Sequence, residues 1–187
     1  AYRGAGNMAV KSKNCVYRNN YAVYIGGASS DTVCYGDLTY GNTVHWGGND
    51  NRGPACVLAL ESCTVMDGAS CDNANTTLKN SLINGNINVG SLLSEGVVNC
   101  VFNNGNLSGA SDEWRQAAQA NKCVFADAGQ LVFDDDMRPV VGSNCAVDRG
   151  DPGLNEETYA TDALGGQRVY NGTVDVGAVE ADWRPRY

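Results

Sequence analysis

The chain has 187 residues and a formal net charge of -8, with 13 Lys and Arg set against 21 Asp and Glu. That balance offers no basic surface for the phosphates of a nucleic acid or for an anionic membrane. No apolar run approaches the ~20 residues of a membrane-spanning helix, and no leader-like segment opens the chain, which reads as a mature product or a fragment.

The length suits one domain with a real core. Charged residues make up only 18% of the chain, and short apolar runs alternate with Asn, Asp, Gly and Ser, a pattern that predicts strands joined by turns. Residues 1–15, AYRGAGNMAVKSKNC, enter a repeating pattern almost at once and carry no segment that reads as a cap. The first coil is therefore expected to be covered by something else: the upstream part of a longer chain, or a neighbouring copy of this one.

The repeat becomes visible when the chain is aligned on cysteine. Cys15-Val16-Tyr17, Leu38-Thr39-Tyr40, Cys63-Thr64-Val65, Ser81-Leu82-Ile83, Cys100-Val101-Phe102 and Cys123-Val124-Phe125 follow one another at intervals of about 18 to 25 residues. First and third members of each triplet share a face, because side chains alternate along a strand. Four positions after the first member stand Asn19, Asn42, Asp67, Gly85, Asn104 and Asp127, residue types that tolerate left-handed backbone or build side-chain turns. No copy can bury its apolar face alone, but copies stacked at the ~4.8 Å strand spacing can. The expected fold is all-β, a parallel β-solenoid on the order of 30 Å long.

The middle members Val16, Thr39, Thr64, Leu82, Val101 and Val124 form an outward apolar or β-branched stripe, which ordinary strand preference explains in large part and which also suits a surface under another chain or a covering loop. Eight cysteines run from Cys15 to Cys145 without the paired spacing of a zinc site, and their number suits an oxidising compartment with a mixture of disulfides and buried thiols. Cys15, Cys63, Cys100 and Cys123 read as small apolar residues pointing into the stack.

Candidate chemistry is sparse. His45 is the only histidine, and in TVHWGGNDNR it stands beside Trp46, with Asp50 and Arg52 close behind. An aromatic face with polar neighbours suits a sugar, so these four residues are the candidate glycan site, weighed against a core Trp46 and a solvent-facing His45. Glycoside hydrolysis needs two carboxyls ~5 to 10 Å apart. Asp31, Asp37, Asp50, Glu61 and Asp67 are available, with Asp37 and Glu61 at near-equivalent places in neighbouring copies, but solvated edge carboxylates are the favoured reading. Lys13 and Lys79 are read as edge-strand charges rather than lyase bases. No catalytic pair, cofactor or metal is assigned.

Further along, SDEWRQAAQANKC predicts a short helix over 112–120, with Ser111 as its cap and Trp114 anchoring it to the side of the rod. Beyond residue 128 the repeat gives way to GSNCAVDRGDP (142–152) and LGGQRVYNGTVDVGAVE (164–180). This closing region resembles that of secreted bacterial right-handed parallel β-helix proteins of the pectate-lyase-like kind. The resemblance implies right-handed coils over 1–127 and a last coil with a capping segment over 128–187.

Within that segment Asp148 and Asp175 are expected to accept backbone donors and Arg168 to pair with a carboxylate. A calcium site at Asp148, Asp151, Asp162 and Asp175 is the alternative weighed against this. The function expected is a non-catalytic extracellular or cell-surface β-helix, structural or adhesive, or a fibre subunit. The alternative is a polysaccharide lyase, glycoside hydrolase or glycan-binding module.

Overall fold

The computed structural model of the protein describes residues 7–8, 11–23, 29–44, 55–71, 74–154, 160–169 and 172–181. Six short strands lie side by side in chain order to make one sheet: Val16–Arg18, Leu38–Tyr40, Thr64–Val65, Leu82–Ile83, Val101–Asn103 and Val124–Ala126. A second sheet of nine strands follows the path Asn7–Met8, Ser29–Tyr35, Ala55–Glu61, Gly68–Ser70, Asn86–Asn88 and Leu107–Ser108, and takes in Lys11–Lys13, Thr77–Lys79 and Val97–Val98. Each strand pairs in parallel with its counterpart one coil away. Stacked parallel sheets with this strand order are consistent with a β-helix-like solenoid.

What turns the chain from one sheet to the other is a left-handed residue. Asn14, Gly36, Ser62, Asn80, Asn99 and Lys122, each two residues before a strand of the six-stranded sheet, have φ between 46 and 66°. Asn and Gly adopt that conformation at least cost, which is why they dominate here. The backbone ladder passes through the bend without a break. The N–H groups of Leu38, Thr64, Leu82, Val101 and Val124 donate to the carbonyls of Cys15, Asp37, Cys63, Ser81 and Cys100 at 2.8–3.0 Å.

The register corrects the sequence alignment at one copy. Val16 pairs with Leu38 and Tyr17 with Thr39, so Asp37, not Leu38, is the counterpart of Cys15. Residue-type matching preferred Leu38 because a carboxylate is costly inside a stack. The inward column of this sheet is Tyr17, Thr39, Val65, Ile83, Phe102 and Phe125, and the outward stripe is Val16, Leu38, Thr64, Leu82, Val101 and Val124.

The helix forms at Asp112–Ala120, with the Ser111 hydroxyl accepting from the Trp114 N–H at 3.1 Å. In the sixth coil it stands in the chain where earlier coils place a strand. Trp114 faces the core rather than the flank: its ring lies 6.1 Å from Phe102 and 6.2 Å from Phe125, and its Nε1 donates to the Leu92 carbonyl at 2.9 Å.

The outward stripe is covered by this chain itself. After an antiparallel hairpin, Leu131–Phe133 with Pro139–Asn144, the C-terminal segment packs along the outer face of the six-stranded sheet. Leu82 and Val101 are buried with Ala126, Leu131, Ala146 and Val176, and Leu38 with Ala178 and Val179. Val16, at the end of the stripe, remains 37% exposed. Gly177 (φ 117°) lies so close that a β-carbon would strike Thr64 Oγ1, and the next residue, Ala178, donates its N–H to that same oxygen at 2.8 Å.

The corners hold the segment's far edge. Asn80 Nδ2 donates to the Asp151 carbonyl at 2.6 Å and Oδ1 accepts from Asp151 N–H at 3.0 Å, while Asn99 Nδ2 reaches the Arg149 carbonyl at 2.9 Å and Asn14 Nδ2 the Thr161 carbonyl at 3.0 Å. One residue type thus serves both left-handed geometry and docking of the cover. Asn80→Gly keeps the bend and loses the docking bonds, costing about 1–3 kcal/mol. Asn80→Ala loses both, and by urea denaturation is expected to be less stable than the Gly variant by a further ~1 kcal/mol.

Candidate functional site

The residue after each left-handed corner points into the stack, and the six form a ladder: Cys15, Asp37, Cys63, Ser81, Cys100, Cys123. Its chemistry repeats. Side chains donate to the carbonyl two residues back: Cys15 to Lys13 (3.3 Å), Cys63 to Glu61 (3.4 Å), Ser81 to Lys79 (2.8 Å) and Cys100 to Val98 (3.4 Å). They also accept the ladder N–H of the coil before: Asp37 Oδ1 from Cys15 (2.8 Å), Ser81 Oγ from Cys63 (3.1 Å) and Cys123 Sγ from Cys100 (3.4 Å). The position therefore asks for a small side chain with one acceptor, and in most coils one donor. Thiol and hydroxyl satisfy it equally, which explains why Ser81 interrupts the cysteines.

This revises the reading of those cysteines as apolar filler. They are buried and close backbone hydrogen bonds at the same time. The described cysteines Cys15, Cys34, Cys63, Cys71, Cys100, Cys123 and Cys145 are all free thiols. Burial pushes the Cys63 and Cys100 thiols well above the usual range, so they are poor nucleophiles while the stack is closed around them.

The interior changes character along the stack. In coils three to six it is lined by Val65, Leu78, Ile83, Val97, Phe102 and Phe125. In the first two coils the same columns carry Ser12, Tyr17, Cys34 and Thr39, with Asp37 on the ladder. Asp37 is 1% exposed, accepts from the Ser12 hydroxyl at Oδ2, and is pushed up to about 6 by burial, with Ser12 and the Cys15 N–H pulling it partly back. Tyr17, in turn, is raised to about 12, chiefly by burial, and shares the Ser12 hydroxyl. The Thr39 hydroxyl is buried with no hydrogen-bond partner among the described residues.

Asp37 and Glu61 are both buried, at 1% and 4% exposure, rather than the solvated edge carboxylates expected, and they occupy different positions of the coil. Glu61 registers with Tyr35 and Lys79 on the nine-stranded sheet, whereas Asp37 sits past the corner on the ladder. Lys13 belongs to that same row, with two coils lying between it and Lys79. Asp67 is half-buried and accepts from Asn42 Nδ2 at 2.8 Å, part of a turn network that also ties Asn42 to Asn20 at 2.9 Å. His45, Trp46, Asp50 and Arg52, the candidate glycan site, lie outside the described residues.

Carboxylates of the C-terminal segment serve its own backbone. Asp175 accepts from the N–H groups of Asp148 (2.8 Å) and Ala181 (2.6 Å), and Asp162 from those of Leu164 (2.9 Å), Gly166 (2.7 Å) and Glu180 (3.2 Å). Arg168, 3% exposed, holds Glu180 Oε1 at 2.5 Å, and Arg138 holds Asp162 at 3.3 Å. Asp175 and Arg168 act as the sequence suggested. Asp148, by contrast, is exposed and left-handed (φ 56°), taking a hydroxyl bond from Thr173 at 2.5 Å. Among the described residues no three His, Cys, Asp or Glu side chains converge to hold a metal ion.

A cleft of about 530 Å³ opens beside Gln130, Ser143, Asn144, Cys145 and Asp148. Its polar groups are largely committed. Asn144 bridges Val132 and Ala146, and Gln130 Oε1 accepts from Asp127 N–H.

Two measurements follow from these environments. Because the folded-state pKa of Asp37 lies above its unfolded value near 4, its contribution is intact below pH ~4 and is lost as pH rises through about 6. Denaturation across pH 4–7 is expected to show wild type losing up to about 3 kcal/mol relative to Asp37→Ser, the residue that Ser81 already supplies on the ladder. Arg168→Met strands a buried carboxylate and is expected to cost about 3–5 kcal/mol, whereas Arg168→Met with Glu180→Leu costs less; limited proteolysis should then cut first within 131–181.

No protein-family model matches the chain, and neither a curated protein nor a solved structure matches it.

Proposed function

We propose that the chain is the C-terminal part of a secreted or cell-surface protein, a right-handed parallel β-helix of the bacterial pectate-lyase-like kind used as a rigid stalk, adhesive surface or fibre subunit. One observation carries the reading. Four of the buried acids, Asp37, Asp162, Asp175 and Glu180, are spent on backbone N–H groups or on Arg168. General acid–base work needs carboxyls that reach a substrate, and these hold the fold instead.

A load-carrying role also suits the distribution of packing. The flank of the six-stranded sheet is covered at Leu38, Leu82 and Val101 by the chain's own segment, which favours growth along the stack. The described first-coil strands pair with the second coil in parallel, a geometry to which an upstream coil or a neighbouring copy adds by continuing the same ladder.

Incubated with pectins, alginates and other polysaccharides, the chain is expected to release no unsaturated uronate and no new reducing ends; product from any of them overturns the reading. Electron microscopy over a concentration series, read with elution volume, should show rods on the order of 30 Å long that associate end to end. Side-by-side association through the flank would contradict it.

A further inference from the structure

The ladder sets two cysteines on successive rungs at one place among its six positions. Asp37 separates Cys15 from Cys63, Ser81 separates Cys63 from Cys100, but nothing separates Cys100 from Cys123. Val101 and Val124 pair directly, so the two cysteines preceding them lie one strand spacing apart. That spacing of ~4.8 Å lies inside the Cα separation a disulfide spans, and closure asks the β-carbons to approach by about 1 Å. Cys123 Sγ already stands 3.4 Å from the Cys100 N–H.

We propose that Cys100 and Cys123 are a disulfide-forming pair that staples the fifth coil to the sixth when the protein meets an oxidising thiol–disulfide pool. The Cys123 thiolate attacks one sulfur of a small-molecule disulfide, forming a mixed disulfide and releasing one thiol. The Cys100 thiolate then attacks Cys123 Sγ, forming the protein bridge and releasing the second thiol; the two protons lost by the protein are taken up by the two released thiolates. The small disulfide is reduced by two electrons and the pair is oxidised by two.

In the closed stack the two thiols differ. The Cys123 thiol is lowered, first by its hydrogen bond to Cys100, while burial holds Cys100 up. Both are buried, at 5% and 0% exposure, so reagent reaches them while the last coil is still docking or when it opens. The bridge closes a loop that contains the Asp112–Ala120 helix and therefore locks in place the element that fills the last coil.

The test uses the full chain, in native buffer and refolded from denaturant, with a mixture of reduced and oxidised glutathione. Alkylation in denaturant followed by peptide mass spectrometry is expected to find the two residues joined, with a mass 2 Da lower than the dithiol. The melting temperature should rise by on the order of 5 °C and return on reduction. Cys100→Ser and Cys123→Ser each remove the bridge while keeping a ladder residue that Ser81 shows is accommodated, and Cys63→Ser leaves it intact. A bridge in either preparation supports the proposal. Two alkylatable thiols in both, or pairing with any other cysteine, overturns it.

Discussion

Everything in this molecule hangs on the corner where the chain leaves the nine-stranded sheet for the six-stranded one. A left-handed residue makes the bend, and the next residue closes it by giving a hydrogen bond to its own coil and taking one from the coil before. Buried backbone groups left open at a corner would each cost about 1–3 kcal/mol. Six corners in series would be prohibitive, so the ladder is the condition for stacking at all. The neighbouring strands can then be as short as two residues because the corners hold their register.

The outer face of the six-stranded sheet is the second constraint. Leu38, Leu82 and Val101 are as apolar as the interior, and a rod that left them wet would aggregate. The chain's last third solves this by lying along them, held by a network of buried carboxylates, two arginines and the side chains of Asn14, Asn80 and Asn99. The corner asparagines bend the coil and grip the cover, which couples the two layers. Loss of the cover should loosen the corners as well.

Polarity inside the rod is unevenly spread, and this shapes where the protein can be stable or reactive. The aromatic cluster of Phe102, Trp114 and Phe125, with Arg115 stacked 4.9 Å over Phe125, anchors the C-terminal coils. At the other end Ser12, Tyr17 and Asp37 form a buried polar chain in which burial pushes the Asp37 carboxyl up to about 6. Acid therefore favours the first coils and alkali works against them, the opposite of a fold held by exposed ion pairs.

Legible in the residues alone were the stacked short parallel strands, the place of the helix, and a covering loop as one of two explanations of the outward stripe. Periodicity in side-chain type reports these because inward packing, turn geometry and capping are local. The sequence also implied that Asp175 and Arg168 serve the C-terminal segment. The remaining features rest on contacts between residues far apart in the chain. The register at Asp37 escaped detection because matching by residue type places an apolar side chain inside, and nothing local shows that a carboxylate there can borrow the Cys15 N–H and the Ser12 hydroxyl. A clue was present in the dipeptides Asn14-Cys15, Gly36-Asp37, Ser62-Cys63, Asn80-Ser81 and Asn99-Cys100, a left-handed former followed by a small polar side chain. That the stripe is covered by residues as far along the same chain as Val179 is from Leu38, and that Cys100 and Cys123 become neighbours, are long-range facts. Contacts of that kind depend on how coils stack, and stacking is a property of the whole rod rather than of any one repeat.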